Sequence, residues 1–102
     1  MKKGFVTMIG KYCIVRGRYS GVFAGDVKSI EGDQVVMTGV RRIWYWDGAA
    51  SISQLAVDGT MNPKGCKFTV TVDEAMILDV IEIIPCTETA EKCIKAVAPW
   101  KR

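Results

Sequence analysis

The chain has 102 residues, of which 49% are hydrophobic and 25% charged. That is ordinary composition for one small globular domain, and it argues against disorder, collagen and coiled coil. Lys and Arg number 14 against 11 Asp and Glu, a net charge of +3, too small an excess for a histone-like or arginine-rich nucleic-acid binder. Histidine is absent, which excludes a Ser-His-Asp triad, a Cys-His dyad, a His-ligated zinc and a haem His within one chain.

In chain order, Lys2 and Lys3 imitate the start of a signal sequence, but the apolar residues after them (Phe5, Val6, Met8, Ile9) stop at Lys11, short of an h-region. No apolar run approaches the roughly 20 residues of a membrane helix, so a soluble, cytoplasmic protein is expected. Tyr12 to Arg18 reads as a strand with Arg16 and Arg18 on one face, and Gly21 to Ile30 as a second. Gly32-Asp33 marks a tight turn, and Gln34 to Trp46 a long third strand with a bulge or bend at Gly39.

Asp47 is the expected N-cap of a helix from Ala49 to Val57, which Gly59 ends. Thr60 to Gly65 is a loop. Lys67 to Val72 alternates as a strand, with Phe68, Val70 and Val72 inward. Met76 to Ile84 reads as one buried strand, with helix an alternative for its first turn, and Pro85 ends it. Thr87 caps a last helix, Glu88 to Val97, which buries Ala90, Cys93, Ile94 and Val97. The tail carries Trp100 back onto the body.

Three strands on short turns, a bent third strand and two short helices make an α+β fold around a small, strongly bent antiparallel sheet in a single domain. Gly21 to Val40 resembles the strand–turn–strand core of small SH3-like or Sm-like barrels, which implies a partial barrel. Cys13, Cys66, Cys86 and Cys93 show no C-x-x-C spacing and read as buried thiols in a reducing compartment.

The densest segment is Arg41-Arg42-Ile43-Trp44-Tyr45-Trp46-Asp47-Gly48-Ala49. In an extended strand Arg42, Trp44 and Trp46 share one face, and Arg41, Ile43 and Tyr45 the other. Guanidinium forks bind phosphate, and indole and phenol rings stack on bases. The stretch Asp47-Gly48-Ala49-Ala50-Ser51 opens the helix, so its free amides can receive a phosphate, Ser51 can donate to one, and Asp47 can instead accept from a ribose hydroxyl or base amine. Arg16 and Arg18 form a phosphate clamp if their strand lies beside Arg41 or Arg42. Two tryptophans can equally be core, and one arginine can pair with Asp47. The acidic residues and the Ser51/Ser53 pair lack a base or a metal-site pattern, so no catalytic residue, metal or cofactor is expected.

The block from Arg41 through Ser51-Ile52-Ser53-Gln54-Leu55-Ala56 to Gly59, with Cys66-Lys67-Phe68 and Ile81-Glu82-Ile83-Ile84-Pro85-Cys86-Thr87, resembles a family of small uncharacterised tailed-phage and prophage proteins. The resemblance implies a phage context and supplies no mechanism. In that context the leading expectation is a non-catalytic homo-oligomer that sequesters a nucleotide-derived small molecule, an anti-defence sponge for a cyclic nucleotide or ADP-ribose-type signal. Arg41, Arg42, Arg16 and Arg18 would hold phosphates, Trp44, Tyr45 and Trp46 the base, and Asp47 and Ser51 the ribose or base edge. The competing readings are a structural or protein-interaction phage protein, and a nucleic-acid-binding module that adds the basic ends Lys2, Lys3, Lys101 and Arg102.

Overall fold

Strands β1 (Tyr12–Gly17), β2 (Gly21–Glu31) and β3 (Gln34–Tyr45) form an antiparallel meander, as their β-branched, glycine-punctuated sequences predict. The structure is a computed structural model that describes residues 7–102. Lys2, Lys3, Phe5 and Val6 lie outside the described residues, whereas Met8 packs on the core. The β2–β3 ladder shifts register between Ala24 and Asp26, so that Gly25 faces two residues, Gly39 and Val40. Gly39 takes the left-handed φ of 51° there. A Cβ on Gly25 would stand 2.8 Å from the Val40 Cα. The two backbones approach so closely only because Gly25 has no side chain, and this is where the sheet bends.

The next stretch departs from expectation. Strand β4 (Lys67–Phe68) is only two residues long. Val70 and Val72, expected inward, are exposed. The apolar run from Met76 to Ile84 is not one strand. It divides into the end of β5 (Val72–Ile77) and most of β6 (Val80–Pro85), around Leu78 and Asp79. Asp79 has φ 56° and is the sole non-glycine residue with positive φ among the described residues. Asp is one of the few side chains that tolerates this geometry, and it makes the turn without a glycine or proline.

The six-stranded antiparallel sheet runs β4-β3-β2-β1-β6, with β5 also on β3. Strands β5 and β6, two residues apart in sequence, therefore pair at opposite sides of the sheet. The sheet bends so far that its ends meet at Leu78-Asp79. No ladder joins β5 to β6 among the described residues, and the sheet is not closed.

The bend separates two cores. Inside it lie Cys13, Val15, Phe23, Val27, Val35, Met37, Val40 and Ile77. On the other face, Tyr12, Ile14, Ala24, Ile43 and Phe68 meet helices α1 (Ile52–Asp58) and α2 (Glu88–Ala96) through Leu55, Ala56, Ile94 and Val97. Fully buried Phe68, Leu55 and Ile94 each contribute on the order of 1.5–3 kcal/mol. Helix α2 starts as expected, with the Thr87 hydroxyl accepting from the Ala90 amide at 3.0 Å. Of its expected inward residues, Cys93 remains half-buried. Among the described residues no helix is long and apolar enough to cross a membrane.

Candidate functional site

The β3 end places its two arginines on opposite faces, as alternation requires. Arg41 faces the helices and is 4% exposed. Its Nε donates to the Thr69 carbonyl, Nη1 to those of Ile94 and Val97 (all 2.9 Å), and Nη2 to that of Phe68 (3.3 Å). Burial lowers its pKa from the ordinary value, and the nearby Tyr12 works in the opposite direction. The expectation that Arg41 holds phosphate is therefore corrected: four backbone carbonyls already occupy it. Arg42 lies on the other face, over the Phe23 ring at 4.5 Å, with Nη1 donating to the Ser20 carbonyl.

Past Trp44 the alternation breaks. The β3–β4 ladder shifts register between Ile43 and Tyr45. As a result Ile43 and Trp46, an odd number of positions apart, both pack in the helix-side core. Trp44 and Tyr45, expected on opposite faces, are both exposed, at 61% and 52%. The Trp46 indole donates to the Ala49 carbonyl at 3.2 Å. Trp100 folds back, as the tail predicts, and lies parallel to Trp44 with centroids 6.1 Å apart and planes 5° apart.

Asp47 does not cap a helix. Its carboxylate accepts from the Gly48 amide (2.9 Å) and the Asn62 side chain (3.0 Å), which orders the loop. Helix α1 begins three residues later than expected because Ser51 is the cap. Its Oγ accepts from the Gln54 amide at 3.2 Å, while Gln54 reaches back to the Ala50 amide at 2.8 Å. This reciprocal pair satisfies the Gln54 and Ala50 amides, two of those a phosphate was expected to take.

Three expected residues do converge. Arg16 from β1, Trp46 from the chain after β3 and Ser51 at the start of α1 line one groove of about 330 Å³ with Val22, Ile52, Ser53 and Glu82. The Arg16 Nε donates to Glu82 Oε1 at 2.9 Å, both side chains being partly exposed. Arg18 is elsewhere, past the end of β1, in a cavity it shares with Tyr19, Asp33 and Asp79. The expected clamp of Arg16 and Arg18 beside Arg41 or Arg42 does not form.

Sequence reasoning missed Glu82 and Ser53 as groove residues, and Lys67 as the neighbour of Trp100. Glu82 reaches Arg16 only through the β1–β6 ladder, a pairing with no local signal. Among the described residues no group of three or more Cys, Asp or Glu is placed to hold a metal ion. Burial pushes the Cys13 thiol up to about 11 and the Cys86 thiol up to about 12, the wrong direction for a nucleophile.

A family model described as a domain of unknown function (DUF6948) matches residues 10–94. The chain belongs to that family. No curated protein and no solved structure matches it. The DUF6948 match includes the whole groove, from Arg16 to Glu82, and Trp44, while Trp100 lies beyond it.

Proposed function

We propose that the protein binds and sequesters a nucleotide-derived small molecule, without transforming it, in the Arg16–Trp46–Ser51 groove. One observation carries this reading: three residues singled out for that chemistry, from three separate elements, line one groove of about 330 Å³. An exposed ion pair such as Arg16–Glu82 is worth only about 0–1 kcal/mol, so a phosphate can displace Glu82 from the guanidinium. Val22, Ile52 and the Trp46 ring offer apolar surface to a base. The Ser51 hydroxyl accepts from Gln54 and keeps its own proton for a ligand oxygen, and Ser53 adds a second hydroxyl.

The groove is open, and a second copy covering it would deepen it, which supports a homo-oligomer. The strand order, with ends linked by two residues, supports reading the domain as a partial SH3-like or Sm-like barrel. With the resemblance to small tailed-phage proteins, the reading narrows to an anti-defence sponge in the bacterial cytoplasm.

The test is thermal unfolding against ADP-ribose, its cyclic isomers, and cyclic di- and trinucleotides. A ligand at about 100 times its Kd adds roughly 2.7 kcal/mol, a rise of roughly 10 °C in Tm for a domain this size. The expected result is a shift with one of these classes that Arg16→Ala removes. A shift that persists in Arg16→Ala rejects the groove. No shift with any compound rejects sequestration in favour of a structural or protein-interaction role.

A further inference from the structure

Large aromatic side chains are seldom left in water without a partner, and two are here. Trp44 is 61% and Trp100 43% exposed, with parallel rings. Trp100 is held in place by its backbone: its amide donates to the Phe68 carbonyl at 2.8 Å, and Pro99 bridges to Phe68. The Lys67 ammonium lies 5.4 Å from the Trp100 ring centroid. Lys101 and Arg102, both exposed, follow directly, and Tyr45, paired with Lys67 across the β3–β4 ladder, adds a further exposed ring. None of these residues lines the Arg16–Trp46 groove.

We infer that this surface is a second, independent binding site, a stacking platform for the unpaired bases of single-stranded nucleic acid. Rings fixed in parallel planes offer π-faces to bases of any sequence, and cations beside them meet the phosphates between bases. The charge selects the occupant: Lys67 lies over the Trp100 ring and the exposed Lys101 and Arg102 follow Trp100 in the chain, so a polyanion suits the surface better than an uncharged apolar partner. The site is open rather than enclosed, which suits a strand that continues past it. Duplex DNA hides its base faces and lacks this mode of contact.

The experiment is fluorescence anisotropy with a labelled oligothymidylate of about a dozen residues, within the usual site sizes of single-strand binders. Wild type is expected to bind at low salt, to weaken as salt rises, and to prefer the single strand to a duplex of the same length. Trp44→Ala and Trp100→Ala are each expected to weaken binding roughly 5- to 100-fold with an unchanged far-UV spectrum. Lys67→Glu should weaken it and flatten the salt dependence. Arg16→Ala should leave it unchanged, so loss of the groove and loss of the platform are read separately. Absence of single-strand binding at low salt, equal affinity for duplex, or unaltered affinity in both tryptophan variants overturns the inference. In the first case the platform is left to a protein partner.

Discussion

The guanidinium of Arg41 meets the carbonyl of Ile94 at 2.9 Å, and so joins the middle of the sheet to the end of α2. The same nitrogen meets the Val97 carbonyl. Carbonyls at a helix C-terminus lack intrahelical donors and carry partial negative charge, so a buried cation there is well placed. Removing it leaves the Thr69 and Val97 carbonyls without this donor, while those of Phe68 and Ile94 keep the Trp100 and Val97 amides. Arg41→Met is expected to lower stability by on the order of 3 kcal/mol, seen as a lower urea midpoint. Arg41→Lys should recover little, because one ammonium cannot reproduce a fork that reaches Thr69 on one side and Val97 on the other. A wild-type midpoint for Arg41→Met would mean the fork stabilises nothing.

Glu82 opposes any anion at Arg16. Glu82→Gln should therefore tighten binding of a phosphate-bearing ligand in the groove severalfold. Stability should change by no more than about 1 kcal/mol, since the pair is exposed. Calorimetric titration of both proteins with whichever compound shifts the wild type checks this. Weaker binding by Glu82→Gln would show that the carboxylate itself contacts the ligand.

The Gly25–Val40 approach gives a steric prediction. A methyl group at Gly25 must displace the Val40 backbone, not a flexible side-chain end. Gly25→Ala is expected to cost roughly 1–3 kcal/mol. Gly32→Ala, where the added atom meets nothing within 4 Å, should lose less, from its φ of 61° alone. Comparing the two Tm values separates steric approach from backbone strain.

Alkaline pH should unfold the protein by a defined route. Burial raises the Cys13 and Cys86 thiols from 9.0 to about 11 and about 12. Below pH 9 the thiols are protonated in both states and stability is flat. Above it the unfolded chain releases protons that the fold retains, so stability falls from pH 9 to about 12. Cys86→Ala should reduce the slope in urea melts across that range. An undiminished slope would assign the loss to Cys13 and to Tyr12, whose phenol pKa burial also raises.

The first half of the fold was legible because its signals are local: β-branched alternation, the Gly32-Asp33 turn and a bend at Gly39. The Thr87 cap and the apolar spacing of α2 were legible for the same reason. The region from Val72 to Pro85 was not, since an aspartate in left-handed geometry turns the chain inside an apolar run. At the candidate site, alternation assigned Arg41 and Arg42 to opposite faces but could not say which face the helices cover. The Arg41 acceptors lie on segments far along the chain. Beyond Trp44 a bulge in the ladder reversed the pattern, and Asp47, a good cap by residue type, is held in the loop by Gly48 and Asn62, which leaves Ser51 to cap the helix.

The two-residue link at Leu78-Asp79 also bears on how the chain assembles. Strand β6 must return to β1, its sheet partner among the described residues, across the whole of β2 to β5, and β5 must reach β3 across the intervening α1. Neither pairing forms until long loops have closed, whereas the β1–β2–β3 meander needs only short ones. The early meander would display bare edges at β1 and β3 until the remainder of the chain arrives. During synthesis those edges wait for strands that emerge after α1, and this interval, rather than the finished fold, is when the protein is most exposed to aggregation.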